Sequence, residues 1–165
     1  DRAWSKPVAF KPAPHALPWK PVDEGCYQRG HFLLPAASAN EAWTWHEPDW
    51  KQIPGGFRSD PFAGKKLLTA SLAGQEATVH FKGRALGAYV LAGPDAGVLE
   101  VSIDGGKWQR VDLYHRHSRG LHYPRTVMFA TDLKAAAHTA KIRISNKSNP
   151  LSKGTAARVL QFVVN

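Results

Sequence analysis

One cysteine, Cys26, stands in 165 residues. A lone thiol closes no internal disulfide, so the fold must rest on packing. Cys26 lies in a Pro-rich stretch and reads as structural, because a nucleophilic Cys needs a His partner and an activating environment. Acidic residues are scarce too: 13 Asp and Glu face 22 Lys and Arg, a formal net charge of +9. Beyond Asp132 there are none, while Lys134, Lys141, Arg143, Lys147, Lys153 and Arg158 follow. Such a field attracts anions (nucleic acid, acidic polysaccharide, a membrane surface) and equally serves solubility. No apolar run reaches the ~20 residues of a membrane-spanning helix, which excludes a helical span. The opening Asp1-Arg2-Ala3-Trp4 holds no hydrophobic export stretch, so location has to be read indirectly. No long stretch repeats its apolar residues every 3.6 positions, so long amphipathic helices are excluded.

Catalytic patterns are missing as well. There is no Gly-x-Ser-x-Gly elbow and no Gly-Asp-Ser block, and Ser118 beside His117 is adjacent only in sequence. Glycoside hydrolysis needs two carboxylates flanking one bond. The pairs on offer, Glu47 with Asp49 and Asp95 with Glu100, are not compelling. No RNP-type, KH, zinc-finger or helix-turn-helix signature is present, which disfavours nucleic acid as a partner, although stacking with charge can hold a single strand.

What is present divides in two. Residues 1–61 hold most of the twelve prolines and five of the six tryptophans, and read as an irregular lead-in of extended segments and turns. Only 31–34 reads as a strand there, with a helical turn over 36–41. Residues 62–165 read as a succession of short strands: 66–72, 76–81, 85–92, 97–103, 108–113, 126–130, 139–145 and 156–164. Asp104-Gly105-Gly106 is the strongest hairpin signal, because these residues adopt positive φ at little cost. Strands with turns every 8–12 residues or so predict one all-β domain over 1–165, an antiparallel β-sandwich of jelly-roll type.

Two segments carry candidate site residues. In Tyr114-His-Arg-His-Ser-Arg-Gly-Leu-His-Tyr-Pro-Arg125, the planar forks of Arg116, Arg119 and Arg125 suit carboxylate or sulfate. Tyr114 and Tyr123 can stack on sugar rings, with His122 between them. Were the preceding strand to continue, His115 and His117 would share a face and His122 could complete a metal site. A zinc hydrolase also needs a general base and an open coordination position, so a metal is not assigned. Docking of a neighbouring domain is a further use of this surface. The second segment, Ala42-Trp-Thr-Trp-His-Glu-Pro-Asp-Trp50, offers Trp43, Trp45 and Trp50 as a stacking platform with carboxylates beside it. Bulky tryptophans equally plug an open end of a sandwich. Asp95 and Asp104 could supply oxygens to a structural Ca²⁺, yet Asp in a tight turn usually serves the turn. No cofactor is therefore assigned.

Five blocks occur together in order: Phe81-Lys-Gly-Arg-Ala-Leu-Gly87, Leu91-Ala-Gly-Pro-Asp-Ala-Gly97, Ser102-Ile-Asp-Gly-Gly106, Leu121-His-Tyr-Pro124 and Asn149-Pro-Leu-Ser-Lys-Gly-Thr-Ala156. With the ending Gln161-Phe-Val-Val-Asn165, they resemble the β-sandwich accessory domain of bacterial SGNH/GDSL-type hydrolases, which are carbohydrate esterases or lipase-like proteins. The resemblance covers residues 62–165; the Trp- and Pro-rich front matches only loosely. It implies an extracytoplasmic bacterial setting and a sandwich that either supports a hydrolase catalytic domain or engages its glycan, a polysaccharide or oligosaccharide; the arginine forks admit acidic ones. In such enzymes the catalytic Ser and His belong to the separate hydrolase domain, whose Gly-Asp-Ser and Asp-x-x-His blocks are missing here. Three readings follow: a non-catalytic carbohydrate-binding module beside an esterase, a purely structural domain docking a catalytic one, and a small metal-dependent hydrolase built on the histidines.

Overall fold

The computed structural model describes residues 13–16, 18–23, 25–56, 62 and 64–165. Trp4, Pro7 and Pro12 of the lead-in lie outside the described residues, as do 57–61.

Among the described residues, ten strands form two antiparallel sheets packed against each other. They are β1 (His31–Leu33), β2 (Thr44–His46), β3 (Leu67–Ala70), β4 (Glu76–Gly83), β5 (Leu86–Ala92), β6 (Val98–Ile103), β7 (Gln109–Asp112), β8 (Tyr123–Ala130), β9 (Ala136–Ile144) and β10 (Ala157–Val164). The larger sheet runs β2-β3-β10-β5-β8, with β1 also paired to β10. Strand β10 is long enough to carry two neighbours on one edge, β3 beside Ala157–Val159 and β1 beside Phe162–Val164. The smaller sheet runs β4-β9-β6-β7.

Period-2 alternation decides which residues meet between the sheets. Ala77, Val79 and Phe81 of β4, Leu99 and Val101 of β6, and Ala140, Ile142 and Ile144 of β9 supply one wall of the core. Leu86, Ala88 and Val90 of β5, Val127 and Phe129 of β8, and Val159 and Phe162 of β10 supply the other. Asp104 and Gly105 both take positive φ, 51° and 74°, and Gly106 N–H donates to Ile103 O, the turn expected between β6 and β7. The expected helical turn is a single 3-10 turn, Pro35–Ser38.

Three expectations change. Strand β2 lies inside the Trp-rich segment read as a loop. The strand of Val111 and Leu113 stops at Asp112, and a 3-10 turn at Arg116–Arg119 replaces the continuation that would have put His115 and His117 on one strand face. That turn is self-capped: Ser118 Oγ accepts from His115 N–H, and His115 Nδ1 accepts from His117 N–H. The strand expected from residue 126 begins at Tyr123.

A second, smaller core lies on the outer face of the larger sheet, where Phe62, Leu67 and Leu91 pack with Trp50, Tyr89 and Leu160. The segment carrying Trp50 is pinned to the chain just before β8 by Gly56, whose N–H donates to Gly120 O and whose carbonyl accepts from His122 N–H.

Candidate functional site

The tryptophans do not form a common platform. Trp43 is 0% exposed, and its indole N–H donates to Gln75 O across 3.0 Å. Trp45 packs, half-buried, against the same main core. Trp43 thus plugs the sandwich, which corrects the platform expected of it: a fully enclosed indole has no face to offer a sugar. Trp50 is half-buried in the second core and meets the His122 ring edge-on at 5.1 Å.

The Tyr114–Arg125 segment is divided by the pleat. Tyr123 pairs with Ala92 of β5, whose side chain faces the main core, so His122 falls on the opposite side. His122 is 4% exposed and packs on Trp50, Gly93 and Gly55, with Nδ1 against Gly56 O at 3.4 Å. Burial, followed by the charge of Arg158, holds its pKa below the ordinary imidazole value. It is a packing residue, which corrects its expected place in the ligand surface. Tyr114 is likewise buried in the main core, and its carbonyl accepts from Arg125 Nη1 at 3.1 Å.

What remains at the surface is a ring cluster with cations around it. His115 stacks on Tyr123, centroids 4.7 Å apart and planes 12° from parallel, and His117 leans on both rings. Arg116 Nε donates to His117 Nε2. Desolvation, then Arg125, His117 and Arg116, push the His115 pKa down. Among the described residues, Arg116, Arg119 and Arg125 have no carboxylate partner. Arg110 and Arg143 share Glu100, whereas Arg158 holds Asp95.

His122 stands apart from the His115–His117 pair, and no group of three or more His, Cys, Asp or Glu among the described residues is placed to hold a metal ion. The carboxylates considered for calcium are engaged otherwise: Asp95 by Arg158, and Asp104 by His138 Nδ1 and Thr139 N–H.

Two features escaped the sequence reading. Trp108, expected to open a strand, precedes β7 and carries the Arg143 guanidinium 3.9 Å over its ring. Thr44, His46 and Thr69 line a groove of about 380 Å³ at the β2 edge. The alternating Trp-Thr-Trp-His run held the signal for β2, and the surrounding prolines obscured it.

No protein-family model matches the chain. No curated protein matches it in sequence. Solved structures share its fold. A two-domain esterase active on acetylated mannans aligns over 99% of this chain and 42% of its own, with 14% identity and a TM-score of 0.62. The exo-β-1,3-galactanase of Phanerochaete chrysosporium aligns over 82% of this chain and 29% of its own, with 20% identity and a TM-score of 0.54. The CBM36-1 domain of a multidomain xylanase, from the hindgut metagenome of Trinervitermes trinervoides, aligns over 82% of this chain and 96% of its own, with 7% identity and a TM-score of 0.50. This chain thus spans under half the length of the first two and has the β-sandwich fold found in proteins that act on carbohydrate.

Proposed function

We propose that this domain is a non-catalytic, carbohydrate-binding module that works beside a hydrolase, a carbohydrate esterase of the SGNH/GDSL type, outside the bacterial cytoplasm. The observation that carries the reading is the set of arginines that have no carboxylate partner among the described residues, Arg116, Arg119 and Arg125, with Arg116 bonded to His117 in the His115–Tyr123–His117 ring cluster. Arg116 and Arg119 are exposed, and a surface guanidinium without a carboxylate partner is available for bidentate contact with uronate or sulfate, while Arg125 is half-buried on Tyr114 O; the ring cluster offers apolar surface and hydrogen-bonding edges to a sugar. The fold shared with carbohydrate-active proteins and the resemblance of residues 62–165 support the same reading. Affinity electrophoresis through gels containing polygalacturonate, alginate or neutral galactomannan tests it. Retardation in an acidic gel, relieved by salt, is expected; free migration in all three refutes it.

A second reading, a structural domain docking its catalytic neighbour, is favoured by one feature of the larger sheet. Phe32, Val163, Gly87 and Met128 follow one another across β1, β10, β5 and β8 in register, and Phe32 and Met128 are 62% and 46% exposed. Val163 between them is half-buried and Gly87 is covered by Met128, so the row presents apolar surface at its two ends, where a partner could pack. In a protein carrying both domains it would shield Met128 from peroxide, whereas the isolated chain would oxidise there.

A further inference from the structure

The groove at the β2 edge faces away from the main core. Thr44 of β2 and Thr69 of β3 are directly paired across the ladder, with hydroxyls 3.3 Å apart. His46 lies two residues along the same face, its Nδ1 3.0 Å from Thr44 Oγ1 and 3.5 Å from Thr69 Oγ1. With the Thr44 hydroxyl donating to Nδ1 and the Thr69 hydroxyl to Thr44 O, the His46 proton sits on Nε2 as the donor, beside two hydroxyl oxygens whose remaining lone pairs accept. The loop beyond β2 forms the opposite wall, where Asp49 accepts from Gln52 Nε2 at 2.9 Å and fixes that amide.

Charge narrows the ligand. The groove's carboxylates are Glu41 and Asp49, and its one cation, Arg158, is bound bidentately to Asp95. In a chain of net charge +9, the described residues of this groove thus supply two carboxylates and no cation free of a carboxylate, which disfavours an anionic ligand. The volume of about 380 Å³ lies in the range of small-molecule sites, and its uncharged polar groups are hydroxyl, imidazole and amide on an alanine-lined floor.

We infer that this groove binds a neutral saccharide unit, with Thr44, Thr69 and His46 pairing with adjacent ring hydroxyls. It is a site separate from the arginine cluster and holds whether or not that cluster binds acidic chains.

Titration of the ¹⁵N-labelled chain with cellopentaose, xylopentaose and mannopentaose tests this. At least one neutral pentaose should saturate with shifts at Thr44, His46 and Thr69. The isosteric pair Thr44→Val and Thr69→Val should weaken it about tenfold or more, the loss expected for two hydrogen bonds. The Arg116→Ala, Arg119→Ala pair should leave it unchanged. No binding by any of the three, binding indifferent to the valine pair, or shifts confined to the Tyr123 end would each overturn the inference. Retention by polygalacturonate is read separately with the arginine pair, so either site can fail alone.

Discussion

Arg158 holds Asp95 through two hydrogen bonds, 2.8 Å from Nη1 to Oδ1 and 2.7 Å from Nη2 to Oδ2, with the guanidinium 7% exposed. This pair ties β10 to the turn between β5 and β6, beside the ring of His122. Burial raises the Asp95 pKa, but the hydrogen bonds and charge of Arg158 outweigh it and the net shift is downward. Arg158→Met leaves a largely buried carboxylate without its partner and should cost about 3 kcal/mol at neutral pH, read by urea unfolding. The sign with pH follows from the depressed value. The contribution of Asp95 is full above its ordinary value of 3.8 and fades as pH falls through the lower folded value.

His138 titrates in the opposite sense. Its Nδ1 lies 2.6 Å from Asp104 Oδ2 and its Nε2 2.8 Å from Lys134 O, so both nitrogens face acceptors and the cation is favoured. The Asp104 hydrogen bond, then the Lys134 carbonyl, raise its pKa. This contribution is full below the ordinary 6.5 and is lost as pH rises through the folded value. His138→Gln should flatten the fall in melting temperature on the alkaline side of pH 6.5; an unchanged slope would remove His138 as its source.

A Cβ on Gly93 would collide with His122 Nε2, so the ring and the segment it supports require a glycine there. Gly93→Ala should cost about 2 kcal/mol. Hydrogen exchange should also speed up at Gly56, whose N–H and carbonyl pin the Trp50 segment.

Trp43→Ala and Tyr123→Ala should part company. The first opens a cavity in the main core and should cost about 4 kcal/mol of stability, with glycan retention unchanged in whatever protein remains folded. The second, half-buried at the start of β8, should cost much less stability than the first and weaken retention. Denaturation curves and affinity gels on both variants check this.

The alternating strands, the Asp104-Gly105-Gly106 turn and the core residues were legible because a half-buried strand writes period 2 into its sequence. The division of Tyr114–Arg125 was not. Whether His122 and Tyr123 point together or apart depends on where β8 begins, and that start is fixed by pairing with Ala92 and Leu91 of β5. The tryptophans were ambiguous for a related reason. Trp43 and Trp45 both meet the main core, and only the burial supplied by distant strands separates a plug from a platform. The Thr44–Thr69 pair joins residues twenty-five positions apart through a strand that the surrounding prolines disguised.

The decisive measurement is calorimetric titration of the chain with oligogalacturonate at low and high salt, beside the Arg116→Ala, Arg119→Ala variant. Binding by an arginine-lined site should be saturable, weaken with salt and fall about tenfold or more in the variant, consistent with the loss of two charge-assisted contacts. Undetectable binding, or equal binding by wild type and variant, would contradict it and remove the arginine cluster as a glycan site.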